Sequence, residues 1–283
     1  MSYGDLWTRL VRGVRRDWAA DRLAAWLPAD PDVLGADSGD RRHAKQGRST
    51  ARHRLDGPGG PLSVYLKRHE RLPLSTRLRA TLAPGESATP AAVERSNLEV
   101  ARGLGIAVPE VVAIGERVGP MGRLGGYLMT AELVGQVELN VAIPRWRCEL
   151  GPSRFVEVKT EVFGEVAAIA AKLHSASAFH KDLYLCHLFV DPGLTAPAGR
   201  RLTLIDLHRM GTHRLTGGRW RVKDLAQLVY STEGVEGIDA SDIEHFWSTY
   251  FALARVRKPS WLRARVASKA ARYLGHNRKG RPR

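Results

Sequence analysis

The stretch FHKDLYLCHLFV, Phe179 to Val190, sets an aspartate behind a His-Lys pair and follows it with an apolar run broken by one cysteine and one histidine. An acid, a thiol and an imidazole in a segment otherwise fit for burial leave three chemistries open: a metal cage, a nucleophile site or a phosphoryl-transfer loop. A zinc cage needs four ligands, and no second Cys/His pair at ligand spacing exists to complete one with Cys186 and His187. The two cysteines, Cys148 and Cys186, make no disulfide framework and suit a reducing compartment. Cys186 then reads as a small apolar filler beside Leu188.

Downstream, a second acid, Asp206, ends the apolar strand in LTLIDLHRM, Leu202 to Met210. The short β segments LCHLFV and LTLIDL flank a PGLTAPAGRR turn, and a hairpin there brings Asp182 and Asp206 to one end. Two carboxylates at one edge can divide labour: one accepts a hydroxyl proton while the other holds a divalent cation. Upstream, Val156 to Ser177 is a strong amphipathic, alanine-rich helix.

The first half of the chain has a different texture. KQGRSTARHRL and LSVYLKRHERL alternate β-branched or aromatic with polar residues around the turn DGPGG, which predicts two strands. In the second, Lys67 alternates with Val64 and Leu66 onto the other face, where a lysine can hold phosphate oxygens as a point charge. A helix from Thr89-Pro90 to Gly105 offers Glu94 and Glu99 to position it, and VVAIGERVG and GGYLMTAELVG predict two further strands. Trp220–Thr232 and Ser241–Val256 are helical. At the start, apolar residues at Leu6, Leu10, Val14, Trp18, Leu23, Trp26 and Leu27 predict a basic amphipathic helix over Asp5–Leu27, packed on its own domain or laid on a membrane surface.

The expected organisation is an N-terminal amphipathic helical extension (1–32), a small mixed lobe (33–134), a mostly helical lobe (135–270) and a basic tail (271–283). With 283 residues, 43% hydrophobic and 26% charged, the composition is that of a globular protein. No apolar run approaches the ~20 residues that span a bilayer, and MSYGDLWTRL lacks the apolar core of a secretory signal. The net charge of +15 predicts attraction to polyanions: nucleic acid, an anionic membrane face or an acidic glycolipid. No helix-turn-helix or RNA-reading signature accompanies it, so specific nucleic-acid binding is not expected.

Lysine in a third strand, glutamate in the following helix, His-x-Asp in a loop and Asp after an apolar strand is the order of the protein-kinase-like fold. More closely, HKDLYLCHLFV and LTLIDLHRM resemble the bacterial lipopolysaccharide core kinases, which phosphorylate heptose or Kdo sugars of the inner core. The resemblance spans roughly residues 40 to 232. It implies a bilobal α+β fold that uses ATP with Mg²⁺, or Mn²⁺, and an anionic glycolipid or sugar acceptor. It also implies peripheral association with the cytoplasmic face of the inner membrane.

By that resemblance Asp182 is the catalytic base or hydroxyl orienter and Asp206 the metal-binding acid. Lys67 contacts the α/β-phosphates with Glu94 as its ion-pair partner, Glu99 being the fallback. Gly47 falls in the nucleotide loop, and YLMTAEL is the hinge, with Met129 as gatekeeper and Glu132 and Leu133 presenting backbone to adenine. Asp224 braces the catalytic loop, and His180 is structural. His187 stands where protein kinases carry asparagine, as a ligand of a second ion or a hydrogen-bonding residue of the loop. The acceptor is not encoded in this machinery. A kinase for a small molecule or protein, and a nucleotide-binding pseudokinase regulator, stay as alternatives.

Overall fold

The computed structural model describes residues 14–27, 41–45, 48–69, 89–119 and 123–279, with Gly4 and Trp7 besides. The chain forms two compact units, Met1–Glu99 with Pro109–Glu132, and Val100–Val108 with Leu133–Arg283. Among the described residues the first unit carries strands β1 (Val14–Ala19), β2 (Arg41–Lys45), β3 (Arg48–Leu55) and β4 (Leu62–His69), then helix α1 (Pro90–Gly103), β5 (Val111–Gly119) and β6 (Arg123–Ala131). The six strands form one sheet in the order β1-β5-β6-β4-β3-β2.

Period-two alternation sorts the sheet's two faces. Leu55, Val64, Leu66, Val112, Ala113, Tyr127 and Met129 bury one face, covered by Leu23, Trp26 and Leu27. The opposite face carries Lys67, paired in register with Thr50 on β3 and Leu128 on β6. The turn between β3 and β4 is shaped around Trp26, whose indole N–H donates to the Gly60 carbonyl at 2.8 Å. A Cβ on Gly57 would fall 2.3 Å from that ring, so the glycine is a steric requirement.

Of the N-terminal helix expected over Asp5–Leu27, Trp7 is helical, but the described residues from Val14 on form β1 and a 3₁₀ turn over Asp21–Trp26. Leu23, Trp26 and Leu27 pack half-buried against the sheet while Trp18 is exposed, and the stretch does not keep the helical period. Trp18 sits opposite Ile114 in an antiparallel ladder with β5, a pairing across almost a hundred residues that no local pattern announces. Helix α1 begins where Thr89 Oγ1 accepts the Ala92 N–H at 3.2 Å, a side-chain cap just ahead of Pro90.

The second unit contains β7 (Val137–Glu138), α2 (Leu139–Glu149), α3 (Pro152–Ser175), β8 (Ala178–Phe179), β9 (Leu188–Val190), β10 (Leu202–Leu204) and β11 (Gly211–Thr212). Helices α4 (Gly217–Ser231), α5 (Ala240–Ala254) and α6 (Pro259–Lys279) complete it. Strands β9 and β10 pair antiparallel, giving the hairpin the sequence predicts, with β7 on its other edge. Helix α3 packs on α5, and α4 on α6. Buried Lys159 of α3 donates to the Gly237 carbonyl, Asp239 and Asp242 at 2.7–3.0 Å, tying α3 to the capped start of α5.

Residues 271–279, expected as a basic tail, belong to α6. Leu262, Val266 and Ala270 recur every four residues and are buried, so this helix has an apolar stripe beneath its arginines and lysines. None of the helices in the described residues is long and apolar enough to cross a membrane.

Candidate active site

The loop between β8 and β9 is fixed from beneath. Asp224 of α4 is fully buried, and its carboxylate accepts the backbone N–H of His180 at 2.9 Å and of Lys181 at 2.7 Å. The ring of His174, also buried, stands 3.4 Å from the same carboxylate and takes its other partner, the Tyr250 hydroxyl, at 2.8 Å. Burial draws the His174 pKa down, although Asp224 opposes the shift. Two consecutive amides on one carboxylate form a clamp, and Lys181 within it adopts a left-handed φ of 69°. For a non-glycine residue that conformation costs about 1 kcal/mol, which the clamp offsets.

The clamp aims Asp182 into a ring of donors. Arg209 approaches its Oδ2 at 2.9 Å; Gln227 donates to Oδ1 at 3.3 Å, and the Lys223 amine lies 3.5 Å from the same oxygen. Lys223 also bonds the Lys181 carbonyl. Gln227 is nearly fully buried and donates to the Tyr184 hydroxyl at 2.8 Å. Lys223, Asp224 and Gln227 occupy one stretch of α4, and residues 223 and 227 share a face by the four-residue helical period. The sequence reading singled out Asp224 and missed Lys223 and Gln227. That same period, anchored on Asp224, was the available signal.

His187 completes the loop's geometry. Its Nδ1 lies 2.6 Å from the Asp182 carbonyl, which can only accept, so Nδ1 carries the proton. Nε2 on the far side of the ring stands 3.7 Å from Asp206 Oδ2, too long for a hydrogen bond. The other oxygen, Oδ1, is 2.6 Å from His208 Nδ1. His180, fully buried, donates from Nε2 to the Ile205 carbonyl at 2.9 Å, and burial pushes its pKa down. It thereby ties the Asp182 loop to the strand leading into Asp206. Asp206 itself takes a left-handed φ of 62°, turning the chain sharply after β10. Cys186 is half-buried and burial raises its thiol, consistent with filling rather than reactivity.

In the first unit, Lys67 and Glu94 form an ion pair between β4 and α1. The lysine side chain is 18% exposed and the glutamate 3%. Glu99, the fallback, pairs instead with Arg95 at 2.9 Å. Met129 is fully buried in the core on the face opposite Lys67; Leu128, in register with Lys67, occupies the lysine's face. The gatekeeper expectation for Met129 therefore meets the wrong side of the sheet, because consecutive strand residues point oppositely. Glu132 spends its backbone N–H on the Ser63 carbonyl and its carboxylate on Arg52 at 2.8 Å; in the second unit Leu133 accepts the Gln136 N–H. Gly47 lies outside the described residues.

Among the described residues no group of three or more His, Cys, Asp or Glu side chains forms a metal cage. Asp206 and His187 make a two-donor set. The Asp206 carboxylate suits Mg²⁺, whose remaining positions phosphate oxygens and water would fill, whereas an imidazole nitrogen from His187 suits a softer ion.

The sequence profile of the lipopolysaccharide kinase (Kdo/WaaP) family matches residues 74–250. The lipopolysaccharide core heptose(I) kinase WaaP of Pseudomonas aeruginosa is 31% identical over 228 residues, covering 80% of this chain and 82% of the relative. WaaP of Escherichia coli K12 is 26% identical over 208 residues, 73% of this chain and 75% of the relative. The solved structure of WaaP in complex with acyl carrier protein superposes with a TM-score of 0.67 at 29% identity, covering 91% of this chain and 98% of that one.

Proposed function

Because the chain belongs to the lipopolysaccharide kinase (Kdo/WaaP) family, we propose that it transfers the γ-phosphoryl group of ATP to a sugar hydroxyl of the lipopolysaccharide inner core. The acceptor is a heptose, as the names of its relatives state for them, or the neighbouring Kdo. The observation that carries this reading is the Asp182 loop, clamped by Asp224 and surrounded by Arg209, Lys223 and Gln227.

Asp182 accepts the hydroxyl proton as the oxygen attacks, from a position set by the clamp rather than by its own flexible rotamers. Arg209 and Lys223 lie where they offset charge on the transferring group as well as on Asp182. Lys67, oriented by Glu94, holds phosphate oxygens of the nucleotide. Asp206 and His187 would hold a divalent ion, Mg²⁺ or Mn²⁺, which neutralises triphosphate charge when bound. The Nδ1 donation to the Asp182 carbonyl leaves His187 Nε2 as the ligating atom. The hinge role of Glu132 and Leu133 and the nucleotide-loop role of Gly47 stand as parts of this proposal.

The test is phosphorylation of extracted inner-core lipopolysaccharide with labelled ATP. Label is expected in sugar, and Asp182→Asn should lower the rate about 10³-fold while nucleotide affinity stays within a factor of two or so. Label in protein alone would sink the sugar-kinase reading. The basic surface supports peripheral attachment at the cytoplasmic membrane face. The solved WaaP complex makes an acyl carrier protein a candidate partner, tested by co-purification.

A further inference from the structure

Beside the Asp182 loop, three cations crowd one indole. The Arg219 guanidinium lies 4.5 Å from the centre of the Trp220 ring, the Lys181 amine 5.0 Å and the Lys223 amine 5.7 Å. His213 stacks on the same indole at 5.2 Å between centroids. Gly211 leaves room for this crowd, since a Cβ there would stand 2.8 Å from the Lys181 amine.

Negative charge nearby is already committed. Asp182 faces Arg209 and Lys223. Asp224 is fully buried and engaged by the two loop amides and by His174. Among the described residues, neither Lys181 nor Arg219 reaches a carboxylate within ion-pair distance. Burial pulls the Lys181 pKa down, and repulsion from Arg209, Lys223 and Arg219 adds to it against the pull of Asp224. His213 is lowered in the same sense by burial, then by Lys181 and Arg219. The indole face attracts each cation by only about 0.5–1 kcal/mol and supplies no net charge. Cations gathered without a counter-charge form a field that an anion relieves, and a guanidinium offers a carboxylate or phosphate two parallel donors.

We propose that Lys181, Arg219 and Trp220 form an acceptor subsite that holds an anionic group, a carboxylate or a phosphate, carried by the glycolipid next to the hydroxyl being phosphorylated. The inference rests on the proposed sugar-kinase function and adds to it where the acceptor is gripped and by what charge. Lys181 adjoins Asp182 in the chain, so an anion held there keeps its neighbouring sugar within reach of that carboxylate.

The experiment compares wild type, Arg219→Gln and Arg219→Lys on extracted inner-core lipopolysaccharide, with KM measured separately for acceptor and ATP and folding checked by thermal melting. Arg219→Gln should raise the acceptor KM about ten-fold, as loss of one charge-assisted contact implies, leave the KM for ATP unchanged, and be partly rescued by Arg219→Lys, which restores the charge but not the paired donors. Two treated acceptors identify the group, one with its sugar carboxylates amidated and one with its phosphates enzymatically removed. Wild type should lose affinity by a similar factor on one of them, and Arg219→Gln should lose nothing further on that one. An acceptor KM within two-fold of wild type in Arg219→Gln overturns the subsite, as does a rise in the KM for ATP instead. Failure of wild type to label any lipopolysaccharide would strike the parent reading, which these comparisons leave separable.

Discussion

The two charged centres of this chain are built on opposite plans. In the first unit, a strand lysine meets a helix carboxylate that is almost fully buried, and Glu94 Oε2 has no hydrogen-bond partner among the described residues. In the second, an aspartate on a loop is approached by an arginine, a lysine and a glutamine, while a second aspartate holds the loop backbone from below. A pair depends on each member, because removing one strands a charge where water cannot reach it. A network shares the load among donors but concentrates its geometry in the clamp.

The comparison breaks most visibly at Asp224. Asp224→Ala leaves the buried His180 and Lys181 amides without an acceptor and removes a partner of His174. Thermal or denaturant unfolding should show a loss of about 4 kcal/mol, since each unsatisfied buried donor costs about 1–3 kcal/mol. Activity should fall with it, as Lys181 relaxes from its left-handed conformation. A melting temperature unchanged from wild type would mean that the loop holds its own shape.

Next in size is the pair. Lys67→Met should destabilise the protein by about 3 kcal/mol by exposing Glu94 as a lone buried charge, and the Lys67→Met/Glu94→Leu double variant should recover most of that loss. Neither variant should retain normal ATP affinity. Additive losses in the double-mutant cycle would show that the two side chains act independently.

The smallest effect lies away from both centres, at the start of α5. The Asp239 carboxyl is held well below its ordinary range by hydrogen bonds from Ser241 and Lys159. A lowered acid stabilises the fold above its unfolded pKa, near 3.8, and the contribution fades as pH falls below that value. Melting temperature against pH should therefore drop more steeply below pH 3.8 in wild type than in Asp239→Asn. Equal slopes would remove Asp239 from the account of acid stability.

Part of this architecture was legible along the chain. Asp182, Asp206 and the β9–β10 hairpin stand in two short segments whose chemistry is local, and Lys67 shows its face by alternation with Val64 and Leu66. Met129 was named gatekeeper by the family resemblance, and since Leu128 and Met129 are both fully buried, hydrophobicity could not say which of the two shares the lysine's face. Residues 14–27 misled because an apolar stripe fits more than one period until its partner strand is known. Helix α6 was hidden beneath its arginines and lysines, although its every-fourth-residue apolar positions were there to be counted.

By itself the amino-acid order determined which groups to propose for the chemistry: acids after a His-Lys pair and after an apolar strand, a lysine in a strand, a glutamate in a helix. These are short-range patterns, written within a turn or a strand. Folding alone decided which other groups surround them, through contacts between residues far apart in the chain: Lys223, Gln227 and Arg209 around Asp182, and β1 beside β5. Hydrogen bonds and ion pairs act over a few ångströms whatever the separation in sequence, so only the packed chain reveals which distant groups share that distance.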